Sequence, residues 1–160
     1  MTHYYRYYVL VMLTVVSMIN IMDRLILSIL LEDIKAEFTF TDTQLGVLAG
    51  LAFALFYALM SIPIARWADI SNRKNILAAA LIIWSGMTAL CGAATGFVSL
   101  FLARLGVGIG EAGGSPPSYS IIADYFKPSE RARAMGVYVT GSVLGTGGGL
   151  IVGGLLGEWL

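Results

Sequence analysis

Residues 104–117 read RLGVGIGEAGGSPP. The stretch carries one cation, one anion, five glycines and two prolines inside an apolar run long enough to cross a membrane. An ionisable side chain at such depth is rare, needs a partner and marks function. Arg104 and Glu111 are seven residues apart, two helical turns, so they share a face. Gly106, Gly108, Gly110, Gly113 and Gly114 lie on or beside that run, where small residues let neighbouring helices approach. The rest of the chain reads as the frame that buries these two charges.

The composition agrees. The 160 residues are 58% hydrophobic and 12% charged, against about 25% charged in soluble domains. Nineteen glycines fit membrane helices, which tolerate Gly better than soluble ones. The expected fold class is an all-α polytopic membrane protein. A formal net charge of zero gives no basis for binding nucleic acid. Cys91 is the single cysteine and forms no internal disulfide. His3 has no partner at metal-ligand spacing, so no metal or cofactor is expected. The start, MTHYYRYY, does not read as a signal peptide: its apolar run is too long and no small-residue cleavage site follows.

Five segments are long enough for a hydrocarbon core of ~30 Å, at about 7–31, 43–64, 76–94, 97–125 and 134–156. The loop at 32–42 holds Glu32, Asp33, Glu37 and Asp42 against Lys35. The loop after the second span holds Arg66, Arg73 and Lys74 against Asp69, and that after the fourth holds Lys127, Arg131 and Arg133. Lys and Arg concentrate on the cytoplasmic side, so the N-terminus is expected inside. Tyr4, Tyr5, Tyr7 and Tyr8, with Trp67 and Trp159, suit interfacial belts. An odd number of spans ending at Leu160 leads us to expect a truncated chain with its C-terminal half absent.

The loop at 65–74, ARWADISNRK, resembles the G-x-x-x-D-R-x-G-R-K signature of the major facilitator superfamily. Asp69, Arg73 and Lys74 match; Ala65, Ile70 and Asn72 depart, Asn72 replacing a Gly because Asn tolerates a left-handed backbone. Arg104-x-Gly106-x-Gly108-x-Gly110 resembles the fourth-helix signature, and residues 124–133, DYFKPSERAR, the loop after it. Gly141-x-x-x-Gly145-Thr146-x-x-Gly149 resembles the fifth-helix glycine motif, with Thr146 where antiporters often carry Pro. Symport and antiport both stay open. The resemblance implies the first five helices of a twelve-helix carrier working by alternating access. Asp69, Arg73 and Lys74, with Asp124 and Arg131, would form its cytoplasmic gate.

Within the superfamily, Asn20-x-x-Asp23-Arg24, Gly110-Glu111-Ala112 and Pro116 resemble spinster-like carriers. That likeness implies proton coupling through Asp23, Arg24 and Glu111, and a small organic or lysolipid-like solute. Related organic-anion carriers share the first-helix Asp-Arg. Asn20, Arg104 and Tyr119 are the candidates to line the substrate cavity. Burial favours a neutral carboxyl and a nearby guanidinium favours a charged one. Moving Arg24 or Arg104 between partners would therefore switch a proton on or off Asp23 or Glu111. The expected partners are membrane lipid, protons, the solute, and the missing half or a partner subunit. The expected location is a bacterial inner membrane.

Three other readings compete with this one. The pattern Gly108-x-Gly110-x-x-Gly113 fits a dinucleotide fingerprint, but no strand precedes it. Enzyme activity has no His–Ser, His–Cys or metal motif to support it. A non-transporting fragment that needs a partner is the alternative function. Pro116-Pro117 is expected to kink the fourth span.

Overall fold

The computed structural model describes residues 3–159, with the side chains of residues 3, 52, 158 and 159 excepted. The expectations for the His3 and Trp159 side chains, and for Leu160, lie outside the described residues. The described chain is helical: α1 His3–Phe38, α2 Asp42–Gly46, a π-helical turn Val47–Leu51, α3 Ala52–Ile70, α4 Arg73–Gly92, α5 Phe97–Ala112, α6 Ser115–Tyr125 and α7 Pro128–Trp159. These give five stretches long and apolar enough to cross a membrane: Tyr4–Phe38, Asp42–Ile70, Arg73–Gly92, Phe97–Tyr125 and Pro128–Gly157.

The helices outrun the apolar spans read from sequence. At 1.5 Å per residue, α1 is about 54 Å long, well beyond a ~30 Å core. Most of the acidic segment 32–42 is therefore helix rather than loop, and α3 carries helix through residues 65–70. Charge ends an apolar run, but it does not end a helix; caps do. At the end of α1, Thr39 is left-handed (φ 53°) and the Phe40 N–H donates to the Lys35 carbonyl at 3.3 Å, a Schellman closure. Lys35 pairs with Asp42 across the turn. Thr41 then caps α2: its hydroxyl accepts from the Gln44 N–H at 3.3 Å, while the Gln44 side chain accepts from the Thr41 N–H at 2.9 Å.

The chain divides into two compact units, Met1–Ile29 with Ser118–Leu160, and Leu30–Pro117. In the first, α7 lies along α1 on a glycine seam. A Cβ on Gly141 would strike the Thr14 carbonyl oxygen, one on Gly145 the Met18 carbonyl oxygen, and one on Gly149 would lie 3.2 Å from the Met22 carbonyl oxygen. Both series advance by four residues in the same sense, so the two helices run parallel. The glycine hydrogens point at those carbonyls, which is the geometry of interhelical Cα–H···O contacts. Gly153 extends the seam against Ile29. Ser17 and Ser142 share a hydroxyl hydrogen bond of 2.9 Å within it. At the helix starts, Arg6 grips Glu130 with two nitrogens, at 2.8 and 3.2 Å. Its guanidinium lies 4.9 Å from the Tyr7 ring and 5.3 Å from that of Phe126.

In the second unit α5 is central. Its glycines admit α4 along one side: Gly106 faces Met87, Gly110 faces the Trp84 backbone, and Gly113 faces Ala80. One number falls as the other rises, so α4 and α5 are antiparallel, joined by the short turn at 93–96. A second side faces α3, where Gly108 lies against Phe53 and Gly113 near Ile64, and these two helices are parallel. Phe40, Leu45, Leu48 and Leu100 form an apolar cluster that ties α2 and the π-turn to the start of α5.

Candidate functional site

Glycines make α5 thin, and that thinness is how it buries two charges. Arg104 is 4% exposed and Glu111 is 1% exposed. A Cβ at Gly110, next to Glu111, would come within 2.8 Å of the Trp84 backbone, so α4 approaches α5 there more closely than any side chain at 110 would allow. Trp84 is itself buried and supplies apolar wall. On the α3 side, the Arg104 guanidinium lies 5.2 Å from the Phe53 ring centroid, a cation–π distance.

Just beyond Glu111 the helix breaks. The Gly113 N–H donates to the Gly110 carbonyl at 3.0 Å and the Gly114 N–H to the Glu111 carbonyl at 2.9 Å, tightening the last turn. Ser115, Pro116 and Pro117 then open α6. Proline suits a helix start because it lacks the N–H that a first turn leaves unbonded. The fourth span is thus two helices rather than one kinked at proline. The break falls at Gly113–Gly114, and the prolines begin the new helix. Pro117 and Ser118 are fully buried in that first turn.

The remaining predicted residues fall elsewhere. Asp23, Arg24 and Asn20 lie half-buried on α1 in the first unit. Tyr119 is on α6, exposed on one side, with its ring edge-on to buried Tyr138 at 5.4 Å. Asp69 is exposed near the end of α3; Arg73, half-buried, and Lys74, exposed, begin α4. Asp124 is exposed on α6.

One gate-region reading changes, and one gate residue gains a local role. Asn72 is not left-handed: at φ −75° it is the N-cap of α4, and its side chain accepts from the Lys74 and Asn75 N–H groups at 3.1 and 3.4 Å. Asn replaces Gly there because it caps, not because it bends. Arg131 donates to the Phe126 carbonyl at 3.2 Å and the Ala123 carbonyl at 2.8 Å. It closes the C-terminus of α6, where a cation meets the exposed carbonyls and the negative dipole end.

Sequence reasoning missed Phe53, the Arg6–Glu130 clasp and Gly153. Gly153 was legible, since it continues the four-residue period 141, 145, 149. The other two depend on contacts between distant segments.

This geometry can be set beside known proteins. The sequence profile of the Major Facilitator Superfamily matches residues 13–160. The chain belongs to that superfamily. It is 37% identical to an MFS-type efflux pump of Mycolicibacterium smegmatis, over 92% of this chain and 34% of the pump. It is 33% identical to the sphingosine-1-phosphate transporter of Danio rerio, over 89% of this chain and 29% of that one. A crystal structure of a bacterial homolog to the human lysosomal transporter spinster, inward-facing and unoccupied, superposes with a TM-score of 0.93. The identity is 47%, covering 98% of this chain and 33% of that one. These relatives are transporters, not enzymes, and the chain spans about a third of their length. The superfamily fold and the spinster-like character inferred from the motifs therefore stand, and so does an integral membrane setting.

Proposed function

We propose that the chain is part of a proton-coupled secondary transporter that works by alternating access and moves an amphiphilic, lipid-like solute. Glu111 and Asp23 carry the proton, with Arg24 and Arg104 as the cations that bias it. Asn20, Arg104 and Tyr119 line the solute's path, and Asp69, Arg73, Lys74, Asp124 and Arg131 form a cytoplasmic gate. The N-terminus is cytoplasmic and the membrane is a bacterial inner membrane. A transporting unit of this kind needs the rest of the length its relatives have, on the same polypeptide or on a partner subunit.

The observation that carries this reading is the burial of Glu111. A carboxyl at 1% exposure, two turns from a buried Arg104 and next to a helix break, has the setting of a relay carboxylate. The amphiphile is supported by the sphingosine-1-phosphate transporter among its relatives.

The test is proton-driven accumulation of a fluorescent lysophospholipid or sphingoid base. The protein is taken as its cells make it and reconstituted in proteoliposomes under an imposed pH gradient. Asp23→Asn and Glu111→Gln each abolish accumulation while leaving the thermal midpoint near that of the unmodified protein. Undiminished accumulation in both variants refutes the relay.

A further inference from the structure

We infer that Phe53 is a positioning residue for Arg104, delivered to it by the π-helical turn that precedes it. The inference deepens the relay reading proposed above and rests on it for its consequence in transport.

The register of the second span shows what the turn does. Leu45, ahead of the turn, and Leu48, within it, are buried. A regular helix continuing from Leu48 would carry that face to positions 52, 55, 59 and 62. Leu55, Leu59 and Ile62 are instead 49%, 54% and 62% exposed. The covered face runs through Phe53, Tyr57, Ile64 and Ala68, of which Phe53 and Ala68 are buried and the others half-buried. The step from Leu48 to Phe53 is five residues, the i→i+5 spacing of a π-turn, and the π-turn occupies Val47–Leu51. One extra residue thus rotates everything downstream by about 100°. Without it, Phe53 would leave the α5-facing side.

With it, Phe53 meets two features of α5 at once. Its carbonyl oxygen and ring edge lie 3.1 and 3.5 Å from where a Cβ on Gly108 would sit. Its ring also lies 5.2 Å from the Arg104 guanidinium carbon. Tyr57, one turn on, stacks with it at 5.8 Å. A buried guanidinium stays charged, so its placement is set by what surrounds it. The negative face of an aromatic ring attracts the cation without competing for its proton donors. Those donors stay available to oxygen acceptors. Phe53 therefore holds Arg104 by its face at a fixed distance along α5 from Glu111.

The decisive experiment changes the ring's charge and keeps its shape. Phenylalanine carrying one, two or three ring fluorines is incorporated at position 53 in the natural protein, and the thermal midpoint is read. The same series at Phe40, a buried ring packed on Phe38 and Phe97, is the control. Fluorination drains the ring face stepwise; Phe40 has ring partners and Phe53 has a ring and a cation, so the midpoint falls stepwise at 53 and by clearly more than it changes at 40. A response at 53 no larger than that at 40 overturns the inference. Phe53→Trp, which keeps an aromatic face, retains proton-driven uptake, and Phe53→Leu, of similar bulk, loses most of it. Equal uptake in those two variants overturns the positioning role. The stability series does not depend on transport, so a failure of the relay reading, seen with Glu111→Gln, is distinguishable from a failure of this one.

Discussion

A single methyl group placed at two positions on α7 should move stability in opposite directions. Gly145 and Gly147 are two residues apart on the same helix. At Gly145 a Cβ would overlap the Met18 carbonyl oxygen and lie 3.1 Å from two further Met18 backbone atoms, while at Gly147 nothing lies within 4 Å. Two effects compete in Gly→Ala. The alanine side gains about 0.5–1 kcal/mol from the smaller loss of backbone freedom. Against that, overpacking a tight interface costs about 1–3 kcal/mol, and here the obstacle is backbone, which cannot rotate away. Replacing the glycine hydrogen also removes a Cα–H···O interaction worth about 0.5–1 kcal/mol. Gly145→Ala is therefore expected to destabilise by about 1–3 kcal/mol. Gly147→Ala is expected to stabilise by about 0.5–1 kcal/mol. Reversible unfolding by SDS in mixed micelles reads both as shifts of the midpoint. Shifts of the same sign and size would refute the parallel α1–α7 seam, because propensity alone would then be governing.

Two further substitutions test local geometry. Thr39 is a β-branched residue in the left-handed region, where L-residues are strained by about 1–2 kcal/mol. Thr39→Gly should raise the unfolding free energy by about 1 kcal/mol in the same micelle assay, and a loss of stability would mean that the Thr side chain contributes more than the strain. Arg131→Ala removes both donors to the α6 terminal carbonyls and should destabilise by about 1 kcal/mol, allowing for solvent exposure. Hydrogen exchange at α6 should rise with it; unchanged exchange there would show that Arg131 does not hold that end.

The sequence alone is enough to place this chain in a membrane, because apolar runs of about 20 residues at 12% charge have no soluble alternative. It also places Arg104 and Glu111 on one face, since the period of a helix is fixed by backbone geometry. The glycine seam on α7 is readable for the same reason. Caps are partly readable: Thr41 with Gln44 is a capping box in the sequence, while Asn72 reads as a bend in sequence and is a cap in the fold. Helix ends differ from the sequence reading at 32–38 and 65–70 because hydropathy reports where lipid stops, not where hydrogen bonding does.

Tertiary structure decided the rest. No local pattern sets a π-turn apart from an α-turn within VLAGL; both are apolar and both are helical. Only packing against α5 shows that the covered face slips by one residue at Leu48, and only that slip brings Phe53 to Arg104. The clasp between Arg6 and Glu130 joins residues 124 apart in the chain, and nothing at either position announces the other. Periodicity tells which residues share a face. What that face meets depends on the relative rotation and depth of two helices, which a chain acquires only when its helices pack.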